Sequence, residues 1–145
     1  MPNSTAKFKE MLVNSSTLPA DQTRILAAID VGTNSIHMVV TQIEPLLPAF
    51  TVIERNKTTV RLGDRCKQTG RLTPEAMQRA IVALKRCQEI AKSLNAEQTI
   101  AVATSAVREA PNGQEFLQQI EDELGLWVNL ISGTEEARRI YLGVL

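Results

Sequence analysis

The sequence predicts an α/β protein in which helices flank a mixed five-stranded sheet. Three observations lead to that class. Three strand-like stretches come before any long helix, so the start of the chain reads as antiparallel hairpins. After them, helices and short apolar strands alternate, the pattern of parallel pairing. The composition, 43% hydrophobic and 22% charged over 145 residues, is that of one ordinary globular domain with a real core.

Residues 1–23 mix Asn, Ser, Thr, Pro and Lys without periodicity and read as a flexible N-terminal tail, leaving 24–145 as the folded unit. Ile25-Leu26-Ala27-Ala28-Ile29 is a short apolar strand that runs into the polar turn Asp30-Val31-Gly32-Thr33-Asn34-Ser35, and Ile36 to Ile43 returns as a second strand. Pro45 and Pro48 mark a break before a third, alternating strand from Phe50 to Val60. Thr73-Pro74-Glu75 opens a helix, with Thr73 as its cap and Pro74 where a missing N–H costs nothing. That helix should run to about Ser93, its apolar positions Met77, Ile81, Leu84, Ala91 and Leu94 falling on one face. Thr99 to Thr104 is a buried-type strand, Gln114 to Leu124 a helix ended by Gly125, and Leu126 to Ile131 a strand; Glu135 to Leu145 is helical. The order β-β-β-α-β-α-β-α is that of ribonuclease H-like folds. The last helix stops on Tyr141-Leu142-Gly143-Val144-Leu145 without a polar end, which predicts a chain cut short and leaves a homodimer through that apolar end open.

The 16 Lys and Arg balance the 16 Asp and Glu, so no overall field draws the chain to nucleic acid or an anionic membrane. A polyanion would need a local cluster. Three Phe, one Trp and one Tyr offer little surface for stacking single-stranded bases, and no run reaches the roughly 18 apolar residues of a membrane span. Neither nucleic acid nor membrane is expected as a partner. Cys66 and Cys87 lack CxxC spacing and the chain has a single histidine, so the cysteines read as free thiols of a cytoplasmic protein. His37 on the second strand, without Cys or His partners, reads as a packed, hydrogen-bonded residue.

Three segments could carry chemistry. The turn Asp30 to Ser35 joins a carboxylate at a strand end to a glycine and successive N–H, hydroxyl and amide groups, a concavity that suits an oxyanion; an ordinary polar hairpin turn is the alternative. In Ile131-Ser132-Gly133-Thr134-Glu135-Glu136, Ser132 and Glu135 have capping-box spacing, which frees Glu136 to face a cleft as a general base on water. A solvated glutamate favoured by the helix dipole is the plainer reading. Arg108 leaves a buried strand at the end where ligands of such sheets collect, and its fork suits phosphate oxygens; a salt bridge with Glu109 would be the structural alternative. Arg61 and Arg65 could add positive charge or simply be solvated. The chain has neither G-x-G-x-x-G nor G-x-x-x-x-G-K-[ST], so dinucleotide and Walker-type sites are excluded.

Four stretches in order, Ala28-Ile29-Asp30-Val31-Gly32-Thr33-Asn34-Ser35-Ile36-His37-Met38-Val39-Val40, Val60-Arg61-Leu62-Gly63, Ala101-Val102-Ala103-Thr104-Ser105-Ala106-Val107-Arg108-Glu109-Ala110 and Ile131-Ser132-Gly133-Thr134-Glu135-Glu136-Ala137-Arg138, resemble the N-terminal motifs of the exopolyphosphatase and guanosine pentaphosphate phosphatase (Ppx/GppA) family. The resemblance implies the first of two ribonuclease H-like lobes in the sugar kinase, heat-shock 70 and actin superfamily, with the second phosphate loop and second lobe beyond this chain. It implies that Asp30, Gly32, Thr33, Asn34 and Ser35 bind phosphate, that Arg108 contacts it, and that Glu136 activates water. Thr33 stands where serine is usual, and both carry the hydroxyl. It further implies a magnesium ion, with Asp30 as a ligand, and inorganic polyphosphate or guanosine pentaphosphate as substrate. An isolated lobe would then have little turnover.

Two rival readings fit part of the same pattern. A ribonuclease H-like nuclease would place a carboxylate at Asp30, but the fourth strand ends Ala103-Thr104-Ser105 without a second acid. A non-catalytic regulator binding nucleotides or alarmones would keep the loop and lose hydrolysis, against which Glu136 and Arg108 argue.

Overall fold

The computed structural model describes residues 23–44, 46 and 49–132. Strand β1 (Arg24–Val31) pairs antiparallel with β2 (Ser35–Glu44), and β2 antiparallel with β3 (Ala49–Thr59). On the other side of β1, β4 (Gln98–Ala103) runs parallel to it and β5 (Val128–Leu130) parallel to β4. The result is a mixed five-stranded sheet in the order β3-β2-β1-β4-β5, as the alternation of elements predicts. The tail over 1–22 and the helix expected from Glu135 lie outside the described residues.

Helix α1 (Pro74–Ser93) begins as expected: Thr73 is extended, its hydroxyl accepts the Ala76 N–H at 3.1 Å, and Pro74 follows at the first helical position. Between β4 and β5 the chain forms two helices where one was expected, α2 (Ser105–Glu109) and α3 (Gly113–Leu124). The cause is Pro111, which pushes Ala110 out of helical space to φ −77°, ψ 136° and stops α2 after little more than a turn. Gly125 ends α3 in the left-handed region at φ 64°, as glycine allows, with its N–H on the Glu121 carbonyl at 2.9 Å.

Alternation along the strands sets the core. Ala27, Ile29 and Val31 of β1 and Ile36, Met38 and Val40 of β2 are buried against Ala76, Ala80, Leu84 and Cys87 of α1 and Phe116 and Ile120 of α3. The small residues of α1 let the helix lie close on the sheet. On the opposite face, the register aligns Lys57, His37, Asp30, Val102 and Asn129 in one row, since cross-strand partners share a face. His37 is therefore exposed, contrary to the packed role expected for it: Ile36 and Met38 point inward, and the pleat turns the residue between them outward. Among the described residues no helix is long and apolar enough to cross a membrane.

Strand direction decides where loops gather. The ends of β1, β3, β4 and β5 and the start of β2 all fall at one edge of the sheet. The long loop over 60–72 leaves from that edge and is fastened to the α2–α3 connection. The buried Asn112 side chain accepts the Leu72 N–H at 2.8 Å and donates to the Leu72 carbonyl at 3.1 Å. Arg65–Glu109 (3.6 Å) and Arg71–Glu115 (3.3 Å) add partly or fully solvated ion pairs, each worth a fraction of what the buried bracket contributes.

Replacing Asn112 by Ala leaves both polar groups of the buried Leu72 backbone unsatisfied, and should destabilise the chain by about 2–4 kcal/mol, read as a lower urea midpoint at unchanged slope. The two thiols should also separate chemically. Hydrogen bonds from the side chain and backbone of Thr69 and the backbone of Gln68 pull the Cys66 thiol down, whereas burial pushes the Cys87 thiol up. Under native conditions at neutral pH, iodoacetamide should alkylate Cys66 first, because only the thiolate reacts.

Candidate functional site

The turn between β1 and β2 is held by backbone hydrogen bonds that its own length dictates. The Gly32 N–H donates to the Ser35 carbonyl at 3.0 Å, and a Cβ on Gly32 would stand 3.0 Å from that same oxygen, so the closure suits glycine. The Thr33 carbonyl accepts the Gly63 N–H at 2.9 Å, and the Asn34 carbonyl accepts both the Val60 and Arg61 N–H groups at 2.9 Å. The Thr33, Asn34 and Ser35 carbonyl oxygens, which would repel an anion, are thereby engaged by the protein. Thr33 and Asn34 themselves are exposed at the sheet edge. Thr33 Oγ1 shares a 2.9 Å hydrogen bond with Ser105 Oγ at the start of α2.

The other predicted loop residues take different positions. Ser35 opens β2 and is buried, with its Oγ enclosed and unpartnered among the described residues. Asp30 is the penultimate residue of β1, on the face opposite the helices, half-buried, with Oδ1 shielded from solvent. Glu136 lies outside the described residues.

Arg108 stands on α2, across β4 from the turn. It does not pair with Glu109, which faces Arg65 instead; its terminal nitrogen donates to the Ile131 carbonyl at 2.9 Å. That bond ties α2 to the segment leaving β5, so the half-buried guanidinium is oriented by a neutral acceptor. On the β3 side, Arg61 sits in the left-handed region at φ 53° and lines a depression of about 400 Å³ with Thr59, Asp64 and Arg79. Arg79 reaches it from α1, its Nε donating to the Val60 carbonyl at 2.9 Å. The turn thus lies between arginines at both flanks. Arg65, read beside Arg61 in the sequence, is taken up by its ion pair with Glu109.

Ser105 and Gly63 lie within the motif stretches but carry no individual role in the sequence, and Arg79 lies outside them. Ser105 carries the clearest signal, a hydroxyl directly after a buried strand; Arg79 carries none, because it lies on the polar side of an amphipathic helix. A magnesium ion is compatible with what is present. Magnesium keeps most of its waters and takes one or two carboxylates plus substrate phosphates, so a single Asp30 at the strand end matches that habit, and among the described residues no group of three or more acidic, His or Cys ligands forms an all-protein cage.

The mixed five-stranded sheet in the order β3-β2-β1-β4-β5, with its helices, is the fold of a lobe of the actin-like ATPase class. The sequence profile of the Ppx/GppA phosphatase family matches residues 39–145, and the chain belongs to that family. A crystal structure of the Aquifex aeolicus Ppx/GppA family member superposes with a TM-score of 0.78 at 32% identity, over 85% of this chain and 40% of that one. An exopolyphosphatase from Cytophaga hutchinsonii gives a TM-score of 0.77 at 34% identity, over 83% of this chain and 38% of that one. The chain therefore spans about two fifths of the length of these relatives.

The contact of Gly63 with Thr33 is open to a direct check. A Cβ on Gly63 would stand 2.7 Å from Thr33 Cγ2, so Gly63→Ala must turn Thr33 away from Ser105. In a Thr33→Ser background, which lacks that methyl, the same change should be nearly neutral; a double-mutant cycle by urea denaturation is expected to show coupling of about 1 kcal/mol.

Proposed function

We propose that this chain is the first lobe of a hydrolase that releases terminal orthophosphate from inorganic polyphosphate or guanosine pentaphosphate by attack of water. The observation that carries the reading is the latched turn: its carbonyls are engaged by residues 60–63, its hydroxyl stands at the sheet edge, and arginines flank it. Membership in the Ppx/GppA phosphatase family and the likeness to an exopolyphosphatase support it.

In this reading the turn's N–H groups and the Thr33 hydroxyl hold the terminal phosphate, while Arg108, already aimed by its bond to Ile131, neutralises charge that builds on the phosphate oxygens. Glu136, expected in the first turn of the helix that follows β5, takes the proton of the attacking water as its oxygen bonds to the terminal phosphorus. The anhydride bond breaks in line, and the shortened substrate leaves with the bridging oxygen. Asp30 would help hold a magnesium ion, which supplies charge neutralisation for the leaving phosphate. Most of the acceleration then comes from positioning and electrostatics, and a lobe without its partner lacks half of that geometry.

The experiment is magnesium-dependent phosphate release by the complete protein carrying this lobe, offered long-chain polyphosphate and guanosine pentaphosphate side by side. Glu136→Gln should lower kcat by a factor of about 10²–10⁴ with little change in KM, as loss of a general base does. The 145-residue chain alone should release almost none. Absence of release from either substrate by the complete protein would overturn the reading and favour a non-catalytic ligand-binding role.

A further inference from the structure

We propose that the depression formed by Thr59, Arg61 and Arg79 is a second anion subsite, taking a further phosphate of the same condensed-phosphate substrate while the turn holds the terminal one. The inference rests on the reading above, that the turn holds a phosphate.

Four observations carry it. The depression adjoins the turn directly, since the Arg61 N–H is bonded to the Asn34 carbonyl at 2.9 Å. Arg61 is held at φ 53°, a region that bulky side chains seldom adopt, by that bond and by its own carbonyl accepting the Asp64 N–H at 3.1 Å; the strain fixes where its side chain departs. Arg79 is anchored through Nε to the Val60 carbonyl, which leaves both terminal nitrogens of an oriented guanidinium for another acceptor. Finally, Arg65 and Arg71 of the same loop each pair with a glutamate, whereas among the described residues Arg61 and Arg79 form no ion pair, and Asp64 is the one acid in the lining. Two guanidinium groups lining about 400 Å³ beside the turn, one of them anchored, fit a polyanion that continues past the turn toward β3.

The probes are sodium orthophosphate and sodium tripolyphosphate, titrated calorimetrically into the 145-residue chain at one ionic strength. Arg61→Asn removes the guanidinium while keeping a residue that tolerates the left-handed backbone. It should weaken tripolyphosphate roughly tenfold and leave orthophosphate unchanged, the loss of about one charge-assisted hydrogen bond. Asp64→Asn should do the reverse, tightening tripolyphosphate by roughly two- to threefold through lost repulsion, a gain that misfolding cannot imitate. An unchanged ratio of the two affinities in both variants overturns the subsite. Orthophosphate binding that survives Thr33→Val overturns the role of the turn instead, and an unaltered chain that binds neither probe overturns both.

Discussion

The Asn34 carbonyl is the point on which the sheet edge depends. It accepts two N–H groups from the end of β3, so a single peptide oxygen joins the β1–β2 turn to the 60–72 loop. The same Val60 peptide neighbourhood serves a second partner, because the Val60 carbonyl accepts Arg79 of α1. Val60 and Leu62 are thereby drawn into the core, at 1% and 0% exposure, between a polar turn and a helix that share no other element there. Breaking the latch would free the Asn34 carbonyl and loosen the Val60–Arg61 segment to which Arg79 is bonded. Backbone geometry thus sets the electrostatics before any charged side chain contributes.

Strand direction supplies the rest. In sheets with helices alongside, ligands collect beyond the carboxyl ends of parallel strands. Here β1, β4 and β5 end at one edge, and the two antiparallel strands bring further groups to it, since β2 starts there and β3 ends there. A purely parallel sheet of this size would leave the β3 flank pointing away. The mixed topology is what places arginines along this edge on both sides of the turn, Arg108 through α2 and Arg61 through the segment after β3.

Much of this was legible in the sequence because it rests on local chemistry. The polar turn after an apolar strand, the Thr73-Pro74 helix start and the Gly125 stop are each written in two or three adjacent residues, and the structure has them in place. The split of the β4–β5 connection into two helices was also encoded locally, in Pro111, but is easily passed over in a segment as short as Ser105–Glu109. What escaped depends on residues far apart in the chain. Arg79 is indistinguishable from any solvated helical arginine until β3 delivers the Val60 carbonyl to it, and Gly63 looks like a plain loop glycine until Thr33 arrives against it. His37 was misjudged because strand phase, not residue type, decides which side of a pleat a histidine occupies.

The bracket made by Asn112 has a dynamic corollary. Through it the 60–72 loop is bound to the start of α3, and through Asn34 and Thr33 the same loop is bound to the turn, so the two ends of this connection cannot open independently. Segments joined in this way exchange their amides as one cooperative unit. Any ligand that stabilises the turn must then slow solvent exchange at Leu72 and in the first turn of α3, residues that would never touch it. Occupancy of the sheet edge is in this way registered at the start of α3 as a change in local opening rate, without any displacement of the fold.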